Sequence, residues 1–127
     1  MMFHLRGGRE HTALHESAHA LVAVHHGLEL VSVCIVPHAT GEGAFELLEP
    51  LRPAVADCFA AGPLVSGLEP CRIDLEGVHR NSRAPLENHM ASAGRIIAAA
   101  GPKWHRLQQA LLEAERLTGD EVRQVLR

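Results

Sequence analysis

The chain has 127 residues, enough for one hydrophobic core and too few for two ordinary domains, so residues 1–127 are read as a single domain. Apolar residues make up 46% and charged residues 21%, which excludes a disordered chain. With 12 basic against 15 acidic side chains and a formal charge of −3, no basic excess exists for a nucleic-acid or membrane-surface partner. The 10 histidines, beside only Phe3, Phe45, Phe59 and Trp104 as large aromatics, point away from base stacking and towards metal or proton chemistry.

The elements follow in order. From Glu10 to His26 there is no Gly or Pro, and Gly27 stands where a helix-ending glycine belongs. Leu14, Ala18, Leu21 and His25 share a face there, and Val22 and Val24 make the second half apolar on most sides, so a largely buried helix is expected. Leu30 to Val36 is β-branched and stops at Pro37, which predicts a strand. Gly41 and Gly43 precede a short segment ending at Leu48 that reads as a second strand. Beyond Pro53 a helix presents Val55, Cys58, Phe59 and Gly62 on one face. Further helices are expected over 72–79, 85–100 and 102–116. The last, 119–126, is introduced by Thr118-Gly119-Asp120-Glu121, a capping box. The expected class is α+β and mostly helical: a first helix packed on a small sheet, then a helical C-terminal half.

The start of the chain has no apolar h-region, and no run reaches the roughly 18 to 20 apolar residues that cross a bilayer. Cys34, Cys58 and Cys71 are odd in number and lack CxxC spacing, so they read as reduced thiols in a cytoplasmic protein.

Inside the first helix lies His15-Glu16-Ser17-Ala18-His19, an HExxH motif. Residues i and i+4 stack on one helical face, so two imidazoles can hold one Zn²⁺. Glu16 is turned about 100° away, able to reach a water at the metal without being a ligand. A metal acidifies such a water, and a carboxylate beside it takes the proton as a carbonyl is attacked. A chain of this composition holds roughly 0.07 such matches by chance, and this one falls where a helix is expected independently. His11 and His15 also form an i, i+4 pair, but no Glu follows His11, which lies nearer the helix start.

A catalytic zinc site takes a third protein ligand. Of the aspartates, Asp120 belongs to the first turn of the last helix. Asp57 falls opposite the apolar face of its helix and is expected to face solvent. Asp74, between Ile73 and Leu75, is the preferred candidate; Glu69, Glu76 and His79 stay open on spacing alone. His25, His26, His38, His89 and His105 read as satisfied or solvated, His26 lying about 10 Å past His19 along the helix. Arg80, Arg83, Arg95 and Arg106 read as solvated surface.

Thr12 to Ala23 around the HExxH motif, followed by a strand ending Ile35-Val36-Pro37, resembles the zinc peptidase domain of FtsH-type AAA metalloproteases. Ala60-Ala61-Gly62-Pro63-Leu64 is similar to the family's Ala-Gly-rich helix, and Ile73-Asp74-Leu75 to the segment carrying its third zinc ligand. Ala110 to Glu113 and Leu117-Thr118-Gly119-Asp120-Glu121-Val122 are similar to its closing helices. The resemblance covers roughly 12–126. It implies that His15, His19 and Asp74 bind zinc and that Glu16 is the base. Gly43, Ala44 and Phe45 loosely echo the family's substrate-side edge strand, where an extended peptide would add, with His79 a helper for the oxyanion.

No GxxxxGK[ST] sequence and no membrane anchor accompany these motifs. The expected function is therefore ATP-independent hydrolysis of peptides or already unfolded segments. Two alternatives stand beside it: a peptidase-like domain that binds an extended segment or a protein without cutting it, and a hydrolase of small amides.

Overall fold

The computed structural model describes residues 2–36, 43–48, 52–66 and 72–127, with side chains described from Gly8 onward. The expectations for Pro37, His38, Gly41, Glu69 and Cys71 lie outside these residues. The elements run α1 (Met2–His25), β1 (Leu30–Cys34), β2 (Ala44–Leu47), α2 (Pro53–Ser66), α3 (Arg72–Asn81), α4 (Leu86–Ala100), α5 (Pro102–Ala114), β3 (Arg116–Thr118) and α6 (Gly119–Val125). The class is α+β and mostly helical, as expected.

Helix α1 begins well before Glu10 and forms the centre of the fold. Ala18, Ala20, Val22 and Ala23 are all wholly buried, because α2, α5, β1 and β2 pack around it. Small side chains on α1 share one core with Ala61 of α2, also fully buried, and the two helices pack against each other. Gly27, at φ +69°, ends α1 in the left-handed turn that glycine adopts without steric cost. The neighbouring amide of Leu28 bonds back to the carbonyl of Ala23 at 2.9 Å.

The sheet is antiparallel in the order β2-β1-β3. Val33 of β1 stands opposite Phe45 on one side and Leu117 on the other. Among the described residues strand β2 is therefore an edge, and the pairing of β1 with β2 shifts register between Leu30 and Ser32.

The expectation of one helix running on to Arg116 is corrected. Helix α5 stops at Ala114, Glu115 takes a left-handed conformation at φ 68°, and Arg116–Thr118 turns back onto β1. Thr118 then caps α6: its hydroxyl accepts from the Glu121 amide at 3.2 Å while the Glu121 carboxylate accepts from the Thr118 amide at 2.8 Å. Gly119 is fixed by close approach, since a Cβ there would lie 1.8 Å from the Leu30 carbonyl oxygen.

Leu107 and Leu111 of α5, Val33 of β1 and Val122 of α6 are fully buried in one continuous core. Truncating either leucine to alanine removes about 2 to 5 kcal/mol. That core holds α1 against α5 and the sheet, which sets the orientation of its HExxH face.

Candidate metal centre

His15 and His19 project from α1 towards α2 and the first turn of α3, where Asp74 sits. His15 Nε2 and Asp74 Oδ2 are 3.0 Å apart, His19 Nε2 and Asp74 Oδ2 3.4 Å, and the two Nε2 atoms 3.1 Å. Ligand atoms about 2.0 to 2.1 Å from a tetrahedral zinc stand roughly 3.3 to 3.4 Å from one another. The triangle is already close to that size. Among the described residues these three form the one group of His, Cys, Asp or Glu side chains able to hold a metal.

His19 is fixed from behind. The Nδ1–H of His19 donates to the Cys58 carbonyl at 2.6 Å, which leaves Nε2 as the atom facing the site. In return the Cys58 thiol donates to the His19 carbonyl at 3.2 Å, and burial pushes that thiol's pKa up, so it stays protonated. Phe45 stacks on the His19 ring at 4.2 Å between centroids, and Phe59 closes on Phe45 at 5.2 Å. On the opposite side of α1, Ser17 donates to the Leu14 carbonyl and accepts from the Trp104 indole at 2.9 Å. Helix α5 thus bonds directly to the back of α1.

Burial alone would raise Asp74, but the hydrogen bonds and positive charge of His15 and His19 hold its carboxyl far below the usual carboxylate range. Burial would lower His19, and the bonds of the Asp74 and Cys58 side chains with the charges of Asp74 and Glu16 together lift it well above its ordinary value. A proton and a metal therefore compete for the same nitrogen.

Gly62 supplies the space. A Cβ at that position would fall 2.4 Å from His19 Nε2 and 2.5 Å from His15 Nε2, close to metal–nitrogen bonding distance from both. The point on which the two nitrogens converge is clear because this helical residue has no side chain. Donor set, separations and cradle together fit a zinc ion. Glu16 is buried beside this triangle and outside it, as its place one residue after His15 requires. A Cβ on Gly43 would lie 2.8 Å from Glu16 Cγ, so the start of β2 passes directly against the glutamate.

The structure brings His15, His19, Asp74, Glu16, Gly43 and Phe45 together; Ala44 pairs with Cys34 on β1. It does not bring in the other open candidates. Glu76 is exposed and pairs with Arg72, and His79 is exposed in the last turn of α3. The expectation that Asp57 faces solvent is overturned: it is buried, and its carboxylate accepts from His26, His89 and Ser92 at 3.0, 2.6 and 2.7 Å. Helix α2 is enclosed by α1, α3 and α4, so the side opposite its apolar face meets protein rather than water. Sequence reasoning also missed the role of Gly62, for which the only signal was a glycine inside an otherwise apolar helix.

A scan against models of known protein families finds no match, and a search of the curated proteins finds none either. Among the described residues no helix is long and apolar enough to cross a membrane.

Proposed function

We propose that this domain is a zinc metallopeptidase of the FtsH-peptidase type, acting on peptides or unfolded segments. The observation that carries the reading is the convergence of His15 Nε2, His19 Nε2 and Asp74 Oδ2 on a point kept clear by Gly62, with the Glu16 carboxyl alongside. Zinc bound there would polarise a carbonyl and acidify a water. Glu16 takes the proton of the attacking water and returns it to the departing amine. Phe45 covers one face of His19, shielding the site and fixing the ring. The outer edge of β2 offers backbone groups to an extended peptide, and Gly43 brings that edge against Glu16.

The test is zinc content together with hydrolysis of an unfolded protein substrate. About one zinc per chain is expected, with Glu16→Gln keeping the metal and losing roughly 100-fold or more in rate. A zinc-free protein after metal-replete expression overturns the reading, as does undiminished hydrolysis by Glu16→Gln. Zinc at full occupancy with no cleavage across a broad peptide library replaces it with the binding-domain alternative.

A further inference from the structure

A second constellation lies on the other side of α2. The Asp57 carboxylate can only accept, so the 2.6 Å contact with His89 places the proton on His89 Nδ1. In the neutral ring Nε2 is then an acceptor, and Ser82 Oγ stands 2.7 Å from it. The Ser82 hydroxyl donates to His89, while Ser82 Oγ accepts from the Ala84 amide at 3.1 Å. Serine, imidazole and carboxylate thus follow one another through the ring atoms that general-base activation of a hydroxyl uses. His26 and Ser92 occupy the other carboxylate oxygen and fix the aspartate in place.

Two further observations separate this arrangement from a buried polar clasp. Asp57 and His89 are buried, but Ser82 is only partly so, and it lines a surface cavity of about 460 Å³. Among the described residues, the rest of that lining includes the basic side chains of Arg80 and Arg83, with His79 beside them. A hydroxyl backed by imidazole and carboxylate opens into a cationic cavity.

We propose that Ser82 is a nucleophile activated by His89 and Asp57, and that the cavity takes esters whose acyl group carries a negative charge. As Ser82 Oγ bonds to the acyl carbon, its proton passes to His89 Nε2. The bond from that carbon to the alcohol oxygen breaks, and His89 gives the proton to the departing alcohol. Water then attacks the acyl-serine by the same route, releasing the carboxylic acid and restoring Ser82. The guanidinium groups lining the cavity supply positive charge for the developing oxyanion and for the acyl group's own carboxylate. No metal takes part.

The probes are diisopropyl fluorophosphate and the p-nitrophenyl esters of succinate and acetate, used on the full chain with and without a chelator. Wild type is expected to gain one phosphoryl adduct, mapped by peptide mass to Ser82, and Ser82→Ala none. His89→Gln is expected to slow labelling and ester hydrolysis about 100-fold or more. The succinate ester should be preferred over the acetate, and Arg80→Ala or Arg83→Ala should diminish that preference. All of this should survive chelation and Glu16→Gln, which separates it from the peptidase reading. The proposal is overturned by a wild-type Ser82 that stays unmodified while chymotrypsin in the same tube reacts fully, or by equal labelling in folded His89→Gln. If Ser82→Ala does not fold, the mapped wild-type adduct decides alone.

Discussion

Among the described residues two clusters each bring together one aspartate and two histidines, and that composition does not distinguish them. In the first, His15, His19 and Asp74 bring three ligand atoms within 3.0 to 3.4 Å of one another beside Gly62, which carries no side chain. In the second, His26 and His89 surround Asp57, and the carboxylate itself is the centre. The nitrogens of the first converge with 3.1 Å between them, whereas those of the second bond to different oxygens of one carboxylate. The lesson is that room for an ion depends on what is left out of the middle of such a cluster. Gly62 leaves it out in the first cluster. In the second, every carboxylate oxygen is already taken by His26, His89 or Ser92.

The sharpest way to break the contrast is to fill the first centre. Gly62→Ala would put a methyl group 2.4 to 2.5 Å from both Nε2 atoms, and zinc affinity measured by chelator competition should fall by about 100-fold or more. Helix α2 should persist, because alanine is favoured over glycine there by roughly 1 kcal/mol. An unchanged affinity would show that the two nitrogens do not share an ion.

Emptying the second centre should act on stability instead. Asp57→Ala leaves His26, His89 and Ser92 without their common acceptor and should cost about 3 kcal/mol in urea denaturation, with zinc stoichiometry unchanged. The acid limb of stability gives a milder version of the same test. Burial would raise Asp57, but the bonds from Ser92, His89 and His26 hold it below the usual carboxylate value. The folded state then binds fewer protons than the unfolded one, so this contribution is complete above about pH 5 and is lost as pH falls through the lowered folded value. The difference in urea midpoint between wild type and Asp57→Asn should therefore shrink from pH 6 towards pH 3. A difference that is constant over that range would remove Asp57 from the acid transition.

What could be foreseen in these clusters followed from the reach of each signal along the chain. The HExxH face, Gly27 and the Thr118–Glu121 box are settled within a turn or two of helix, and the sequence shows them directly. Asp57 was misread because its fate depends on partners 31 to 35 residues away. Its own helix carries an apolar face that, taken alone, implies a wet one opposite. Strand β3 is three residues long, too short for any periodicity, and is a strand only because β1 offers it an edge. Gly62 looked like part of an apolar stripe; that it faces two imidazoles depends on how α1 and α2 pack.

The smallest expected effect tests whether the first cluster depends on the back of its helix. Trp104 reaches Ser17, in the middle of the HExxH motif, with an indole N–H. Trp104→Phe removes that donor while keeping most of the ring's packing, and Ser17 retains its own bond to the Leu14 carbonyl. The cost should be about 1 kcal/mol in urea denaturation, with zinc affinity within a few-fold of wild type. A larger loss of affinity than of stability would mean that the indole sets the rotation of α1, and through it the spacing of His15 and His19, more than the buried Ala18, Ala20 and Ala23 contacts do.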